Sequence, residues 1–162
     1  MLIISAHAAD FVWRAGGAAA LYAAAGAQVT VACLSYGERG ESARLWRQGK
    51  GLGEIKEIRR QEAEDVAKVL GAQLRTFDAG DYPLVETPEL LYGLVALYRE
   101  TQPTVVLTHP ERDPCAEIAA LIFPIRGKLV IRRLTQIKCQ NLRQSAQSAE
   151  QPVWERGLSR IQ

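Results

Sequence analysis

Short apolar runs alternate with segments of helical periodicity over the first two thirds of the chain. The apolar runs predict strands at residues 2–6, 29–34, 74–77 and 104–108, and the periodic segments predict helices at residues 11–25, 54–70 and 87–100. Solidly apolar strands that alternate with helices indicate an α/β fold, in which helices cover a parallel sheet on both faces. Such sheets bind ligands at the carboxyl ends of their strands, so the loops that follow the predicted strands are the expected location of a site.

The composition of the chain changes after Pro114. Residues 1–114 contain 12 Lys and Arg and 15 Asp and Glu, so their net charge is negative. Residues 115–162 contain 8 Lys and Arg and 3 Asp and Glu, so their net charge is positive. Only residues 128–134 predict a strand in this second part. We therefore divide the chain into an α/β domain, residues 1–114, and a basic segment, residues 115–162. The segment lacks interleaved aromatic residues and any recognisable binding module, so we expect no nucleic-acid partner.

Length and composition exclude several classes of protein. With 162 residues, of which 48% are hydrophobic, the chain can bury a core and is not disordered as a whole. No run approaches the roughly 20 apolar residues of a membrane span. The first residues predict a buried strand and not a signal peptide, so we expect a cytoplasmic protein without a membrane partner. Cys33, Cys115 and Cys139 are widely spaced and indicate neither a disulfide framework nor a zinc finger.

His7 and Asp10 follow the first predicted strand. An imidazole nitrogen and a carboxylate oxygen on one tight turn suit zinc. Two structural alternatives stay open, since Asp10 could cap the following helix and His7 could bond to a loop carbonyl. Gly16 and Gly17 do not match the dinucleotide fingerprint, and we interpret them as close packing of the helix against the sheet.

The other candidates also lie near strand ends. The loop "SYGERGES" holds Glu38 and Arg39 between two glycines, and is either a solvated turn or a loop that presents both charges to a ligand. Arg59 and Arg60 are neighbours on a predicted helix, so at most one of them faces a site. His109 brings a second imidazole to the same sheet edge, either as a metal ligand or as a structural hydrogen-bonding group.

The order of these motifs resembles the LmbE-like or PIG-L superfamily of zinc-dependent N-deacetylases over roughly residues 2–114. The matching pieces are H-x-x-D with a Gly-Gly helix, "VTVACLSYGERGES" and "EIRRQEAEDVAKVLGA". The resemblance implies a Rossmann-like sheet and a Zn²⁺ ion held by His7 and Asp10, where the family's first loop reads A-H-P-D-D-E. The first aspartate of that loop is the family's general base, and here it is Ala9, while Phe11 replaces the acidic residue that follows. Without that carboxylate, the family's route to hydrolysing an amide lacks its proton acceptor.

Two stretches, "SAHAADFVWRAGG" and "LSYGERGESARLW", are similar to the 4-oxalomesaconate hydratase branch of this superfamily. The resemblance implies a zinc-dependent lyase of gallate and protocatechuate breakdown. It adds water to 4-oxalomesaconate, a small anionic polycarboxylate, and gives 4-carboxy-4-hydroxy-2-oxoadipate. In this interpretation Arg14, Arg39 and Arg59 bind the substrate carboxylates, and Glu38 is the candidate for moving the proton.

The end of the chain departs from the branch. There, an Asp-His segment follows the fourth strand and its histidine completes the zinc site, whereas here the match stops after Pro114, which predicts a truncated or frame-shifted product. The third ligand is then missing or replaced by His109, Cys115 or Glu117. Two alternatives to the hydratase stay open. One is an N-deacetylase of an N-acetylated sugar or amine. The other is an inactive remnant that associates through an exposed sheet edge, for which a homo-oligomer is expected.

Overall fold

The protein contains a parallel α/β sheet. The structure is a computed structural model that describes residues 1–109 and 130–133. The strands are β1 (Leu2–Ser5), β2 (Thr30–Cys33), β3 (Gln73–Thr76), β4 (Val105–Thr108) and β5 (Val130–Arg133), in the spatial order β3-β2-β1-β4-β5. The helices are α1 (Ala8–Asp10), a π-helical turn (Phe11–Ala15), α2 (Gly16–Ala24), α3 (Ala43–Arg47), α4 (Leu52–Val69) and α5 (Pro88–Thr101).

The predicted α/β class is confirmed, since every described strand falls within or next to a predicted run and β5 falls within residues 128–134. Helix α5 begins as its sequence predicts, because Thr87 Oγ1 accepts the Leu90 N–H at 3.2 Å and Pro88 follows the cap. Most of the basic segment, with Cys115 and Glu117, lies outside the described residues, so the division into two parts stays a prediction. Within residues 1–109 and 130–133, no helix has the length and apolar character that crossing a membrane requires.

Helices pack on both faces of the sheet, as predicted. On one face, Leu2 and Ile4 of β1 share a buried cluster with three leucines of α5, Leu90, Leu94 and Leu97. On the other face, Ile3 packs with the first helical segment and with α4 in a second cluster, which includes Phe11, Ala15, Ala19 and Ala63. The period-2 alternation of β1 therefore divides its side chains between the two helical layers.

The first helical segment differs from the single helix predicted at residues 11–25. It begins at Ala8 and passes through the π-helical turn before α2. The packing of Gly16 and Gly17 against the sheet was a wrong interpretation. A Cβ added at Gly16 would lie 3.8 Å from the Leu70 side chain at the end of α4, and one added at Gly17 would meet nothing within 4 Å among the described residues. Both positions would accommodate a Cβ, so close packing does not require glycine at either of them.

The strand order places a crevice at the carboxyl ends of β1 and β4. The chain runs from β1 outward through β2 to β3, and then returns to β4 on the opposite side of β1. The strand order therefore reverses between β1 and β4, and sheets of this kind bind ligands in the crevice at such a switch point. His7 follows β1 and His109 follows β4, so both histidines lie at this point.

Candidate active site

The turn after β1 brings the His7 and Asp10 side chains together. His7 has extended backbone angles and precedes α1, so Asp10 lies one helical turn further on. His7 Nδ1 lies 3.2 Å from Asp10 Oδ2, which also accepts the His7 backbone N–H at 3.3 Å. Asp10 thus caps the helix start and contacts the imidazole at the same time. Arg14 Nε lies 3.1 Å from Asp10 Oδ1 and partly balances the charge.

Asp81, in the loop after β3, contacts the other side of His7. Its Oδ1 lies 3.1 Å from His7 Nε2, and its Oδ2 accepts the backbone N–H groups of Arg39 and Gly40 at 2.7 and 2.9 Å. The buried Asp81 carboxylate therefore joins the loops after β1, β2 and β3. The sequence analysis named the loop after residue 77 but did not single out Asp81. The signal that could have identified Asp81 is the pair Asp78 and Asp81, which directly follows a predicted strand.

Glu41 supplies a third carboxylate to this group. The ligand atoms of His7, Asp10 and Glu41 all lie within 4.8 Å of one another. The Glu41 carboxylate accepts the Ala9 backbone N–H and lies 3.2 Å from Arg59 Nη2. Gly37 makes this approach possible. It has φ +68°, and a Cβ there would lie 2.5 Å from Glu41 Oε2, so another residue would displace the carboxylate.

His109 joins the group through Asp10. The imidazole is buried, and its Nε2 lies 3.6 Å from Asp10 Oδ2 and accepts the Ala6 backbone N–H at 3.2 Å. His109 therefore ties the ends of β1 and β4 together while it faces the carboxylate. The structural hydrogen bonding that the sequence left open is present, and metal ligation by His109 stays a prediction.

Glu38 takes a different position from the one expected for a proton-transfer group. Its side chain is buried, with Oε1 3.6 Å from Lys56 Nζ, and Lys56 also bonds to Asp78 at 2.6 Å. Glu38 Oε2 has no hydrogen-bond partner among the described residues. The Glu38 carboxylate thus pairs with α4, and the loop glutamate that lies with His7 and Asp10 is Glu41.

Arg59 and Arg60 diverge, which confirms that at most one of them faces the site. Arg59 donates to Glu41, to Glu62 and to the Tyr36 carbonyl. Arg60 instead forms ion pairs along α4, with Glu57 and Glu64. The Nε, Nη1 and Nη2 atoms of Arg59 each donate to one of these protein acceptors, and the bond from Nη2 holds the Glu41 carboxylate in place.

A family model described as "PIG-L: GlcNAc-PI de-N-acetylase" matches residues 2–117. That range contains every side chain of the group around His7. The chain belongs to the PIG-L family. The family match does not by itself assign an activity, because one fold can carry several reactions.

Three relatives show how the chain compares within and beyond this range. The 4-oxalmesaconate hydratase of Pseudomonas putida KT2440 is 52% identical over 114 residues, which are 70% of this chain and 44% of the hydratase. The crystal structure of GalB, the 4-carboxy-2-hydroxymuconate hydratase of the same strain, is matched with TM-score 0.68 and 52% identity over 70% of this chain and 48% of GalB. The N,N'-diacetylchitobiose deacetylase of Pyrococcus horikoshii is matched with TM-score 0.62 and 26% identity, over 72% and 42% of the two chains. The PIG-L chain described here thus spans less than half of either hydratase.

Electrostatics in this PIG-L site favour positive charge. The hydrogen bond that the imidazole donates to Asp10 raises the pKa of His7, against the effect of burial. Burial would raise the pKa of Asp10, but the hydrogen bond of His7 and the charges of His109 and Arg14 hold it below its usual value. Burial raises the pKa of Glu41. An excess of carboxylates around one imidazole is the arrangement that a bound cation would stabilise.

The donor set fits a divalent metal ion. Nitrogen and oxygen ligands from His7, Asp10 and Glu41 suit zinc and related ions. A carboxylate beside one ring nitrogen orients a histidine ligand, and Asp81 at Nε2 of His7 would do so if Nδ1 exchanged its contact with Asp10 for a metal ion. No thiolate contributes from Cys33, since burial raises the pKa of its thiol to about 12.

Asp81→Asn is expected to weaken binding of a divalent metal ion by about 10- to 100-fold, because the amide no longer fixes the tautomer and orientation of His7. Competition with a fluorescent zinc chelator measures the change. The matched control is Asp78→Asn, which removes a carboxylate of the same loop that pairs with Lys56 and not with His7. Equal zinc affinity in Asp81→Asn and the unsubstituted chain would contradict the proposed support of His7.

Stability of the metal-free protein is expected to fall as pH rises through the folded-state pKa of His7. The pKa of His7 in the folded protein lies above its ordinary value of 6.5, so the stabilisation is complete below about pH 6.5 and is lost above the raised pKa. Urea unfolding in excess EDTA at a series of pH values measures this loss. His7→Gln should remove the pH dependence in that window, and an unchanged slope in the variant would assign it to another group.

Proposed function

We propose that this PIG-L chain carries the catalytic centre of a zinc-dependent hydratase that converts 4-oxalomesaconate to 4-carboxy-4-hydroxy-2-oxoadipate in gallate and protocatechuate breakdown. The observation that supports this most strongly is the 52% identity to two named hydratases over 70% of the chain. The absence of the deacetylase base at Ala9 agrees with it. In the reaction, water adds across the carbon–carbon double bond of the substrate: in the numbering of the adipate product, its hydroxyl group joins carbon 4 and a proton joins carbon 5.

His7 and Asp10 would hold the zinc ion, with His109 as the candidate for a third position. To serve there, His109 Nε2 would release the Ala6 N–H that it accepts. Bound zinc supplies a Lewis acid that polarises the oxo or carboxylate oxygens of the substrate. Asp81 would keep the imidazole of His7 oriented during turnover.

Glu41 replaces Glu38 as the proposed group for proton transfer. A general acid–base needs a pKa moved toward neutrality and a place next to the reacting atoms, and Glu41 has a raised pKa beside His7 and Asp10. Because its carboxylate accepts the Ala9 N–H, it lies next to the residue where the family has its base. Arg59 holds Glu41, which makes Arg59 a positioning residue and not a direct substrate ligand.

Arg14 remains the proposed partner of a substrate carboxylate at the metal-ligand group. Its Nε lies 3.1 Å from Asp10 Oδ1 beside the candidate metal ligands, and the side chain is 43% exposed. Arginine binds carboxylates through two parallel hydrogen bonds, which a tricarboxylate can use. A cytoplasmic location and a homo-oligomeric state stay predictions from the sequence.

The zinc-loaded full chain is expected to consume 4-oxalomesaconate, which the loss of its ultraviolet absorbance records. Chain treated with EDTA should be inactive and regain activity with added zinc. A folded, zinc-loaded sample without turnover would remove the hydratase proposal for this chain and favour the inactive remnant.

An N-deacetylase is the second candidate, supported by the Pyrococcus deacetylase structure at 26% identity. It requires a proton acceptor that Ala9 cannot provide. Release of acetate from N,N'-diacetylchitobiose tests it directly. Acetate release by the unsubstituted chain would favour the deacetylase, whereas its absence in both that chain and Ala9→Asp would exclude it.

A further inference from the structure

A cavity of about 440 Å³ lies beside the loop that follows β2. Its lining residues are Arg39, Gly40, Trp46 and Tyr82, which come from this loop, from α3 and from the loop after β3. The volume is within the range of small-molecule sites, roughly 300–1,000 Å³. None of the four residues belongs to the group of candidate metal ligands.

The Trp46 wall of this cavity is fixed in place. The indole Nε1–H donates to the Glu38 carbonyl at 2.7 Å. The Glu38 side chain is itself buried and pairs with Lys56 on α4. The indole is therefore held by the loop while 41% of Trp46 stays exposed, so a flat surface is available without a rotamer search.

Tyr82 also lines the cavity, and its backbone has an unfavourable conformation. Its φ is +55°, a region that bulky residues rarely adopt, and its side chain is 79% exposed. The neighbouring Asp81 holds this backbone because its carboxylate accepts the N–H groups of Arg39 and Gly40. Strain that the surroundings maintain at a solvent-exposed aromatic residue points to a binding role and not to core packing.

Arg39 contributes a guanidinium to the lining of the cavity. Its side chain has no hydrogen bond or ion pair within the described part of the chain, whereas Arg14, Arg59, Arg60 and Arg75 each contact a carboxylate. A guanidinium and aromatic rings that line one cavity can together bind a planar ligand, the rings by stacking and the guanidinium by binding a carboxylate.

We propose that Arg39, Trp46 and Tyr82 form a subsite for the carboxylate-bearing end of a planar, conjugated ligand. Asp81 connects this subsite with the metal-ligand group, since its two oxygens contact His7 on one side and the Arg39 and Gly40 backbone on the other. The natural ligand rests on the proposed function: it is the conjugated polycarboxylate substrate, bound by the end that does not react. The binding property itself does not depend on catalysis.

Terephthalate, a planar dicarboxylate, is the probe, and isothermal titration calorimetry on the metal-free full chain is the measurement. Arg39→Gln is expected to weaken terephthalate binding at least about tenfold, since a charge-assisted bidentate contact is lost. Arg44→Gln, the same charge change on neighbouring α3, should alter binding by less than about twofold, as exposed charges contribute little. Trp46→Leu should weaken binding of terephthalate as well.

The outcomes separate the subsite from the hydratase. No saturable binding to the unsubstituted chain, or equal losses in Arg39→Gln and Arg44→Gln, would overturn the subsite. If the chain is an active hydratase and Arg39→Gln leaves its KM unchanged, the subsite is overturned and the proposed function stands. Terephthalate binding that depends on Arg39 in a chain without hydratase activity would support the subsite and remove the proposed function.

Discussion

Glu41→Gln is expected to reduce hydratase turnover by about 10²- to 10⁴-fold, the usual contribution of a general acid–base. The amide retains an oxygen that can accept the Ala9 N–H and the contact from Arg59, so the loop should keep its conformation. It cannot exchange a proton at the reacting carbon. The kcat of the zinc-loaded variant, measured by ultraviolet absorbance, gives the size of the effect.

Glu62→Gln is the matched control, because Glu62 also pairs with Arg59 but its side chain is half exposed on the surface of α4. It should stay within about twofold of the unsubstituted chain, as exposed pairs contribute little. Zinc content of Glu41→Gln must be measured beside its activity. Loss of both would make Glu41 a metal ligand, and full activity would remove it from the mechanism.

His7→Ala is expected to weaken zinc binding by more than about 100-fold, beyond the 10- to 100-fold loss typical of groups that only orient a ligand. The variant removes the imidazole that contacts both Asp10 and Asp81. Elemental analysis after dialysis against a zinc buffer, together with chelator competition, measures the change. Circular dichroism verifies that the sheet is retained.

His109→Gln resolves the third ligand position in the same assay. A parallel loss of zinc would place His109 among the ligands, whereas unchanged affinity would restrict it to joining β1 and β4. Equal zinc content in His7→Ala and the unsubstituted chain would contradict the metal centre altogether. In that case His7 would be a structural residue that pairs two carboxylates.

At position 9, where the resemblance implies the family's base, this chain has alanine, and the loop after β2 brings the Glu41 carboxylate next to it. Because Glu41 reaches the Ala9 backbone N–H, a carboxylate lies beside that turn although its side chain comes from another strand's loop. The positive φ of Gly37 makes room for it. This chain thus has a carboxylate beside the candidate metal ligands, and it comes from the loop after β2 and not from position 9.

Local features were determined by the sequence alone. Apolar runs and helical periodicity predicted the strands, the parallel α/β class and the start of α5. The spacing of His7 and Asp10 predicted their contact, because residues three apart at a helix start lie on one turn. Adjacent positions on a helix likewise predicted that Arg59 and Arg60 diverge.

Only the tertiary structure decided which distant groups complete the site. Asp81 and Glu41 reach His7 because β3, β2 and β1 pair side by side, and periodicity carries no information on strand order. The choice between Glu38 and Glu41 depended on a loop without periodicity, in which the turn at Gly37 directs one carboxylate to Lys56 and the other to His7. Side-chain spacing thus determines contacts within one element, and contacts between elements depend on how the whole sheet assembles.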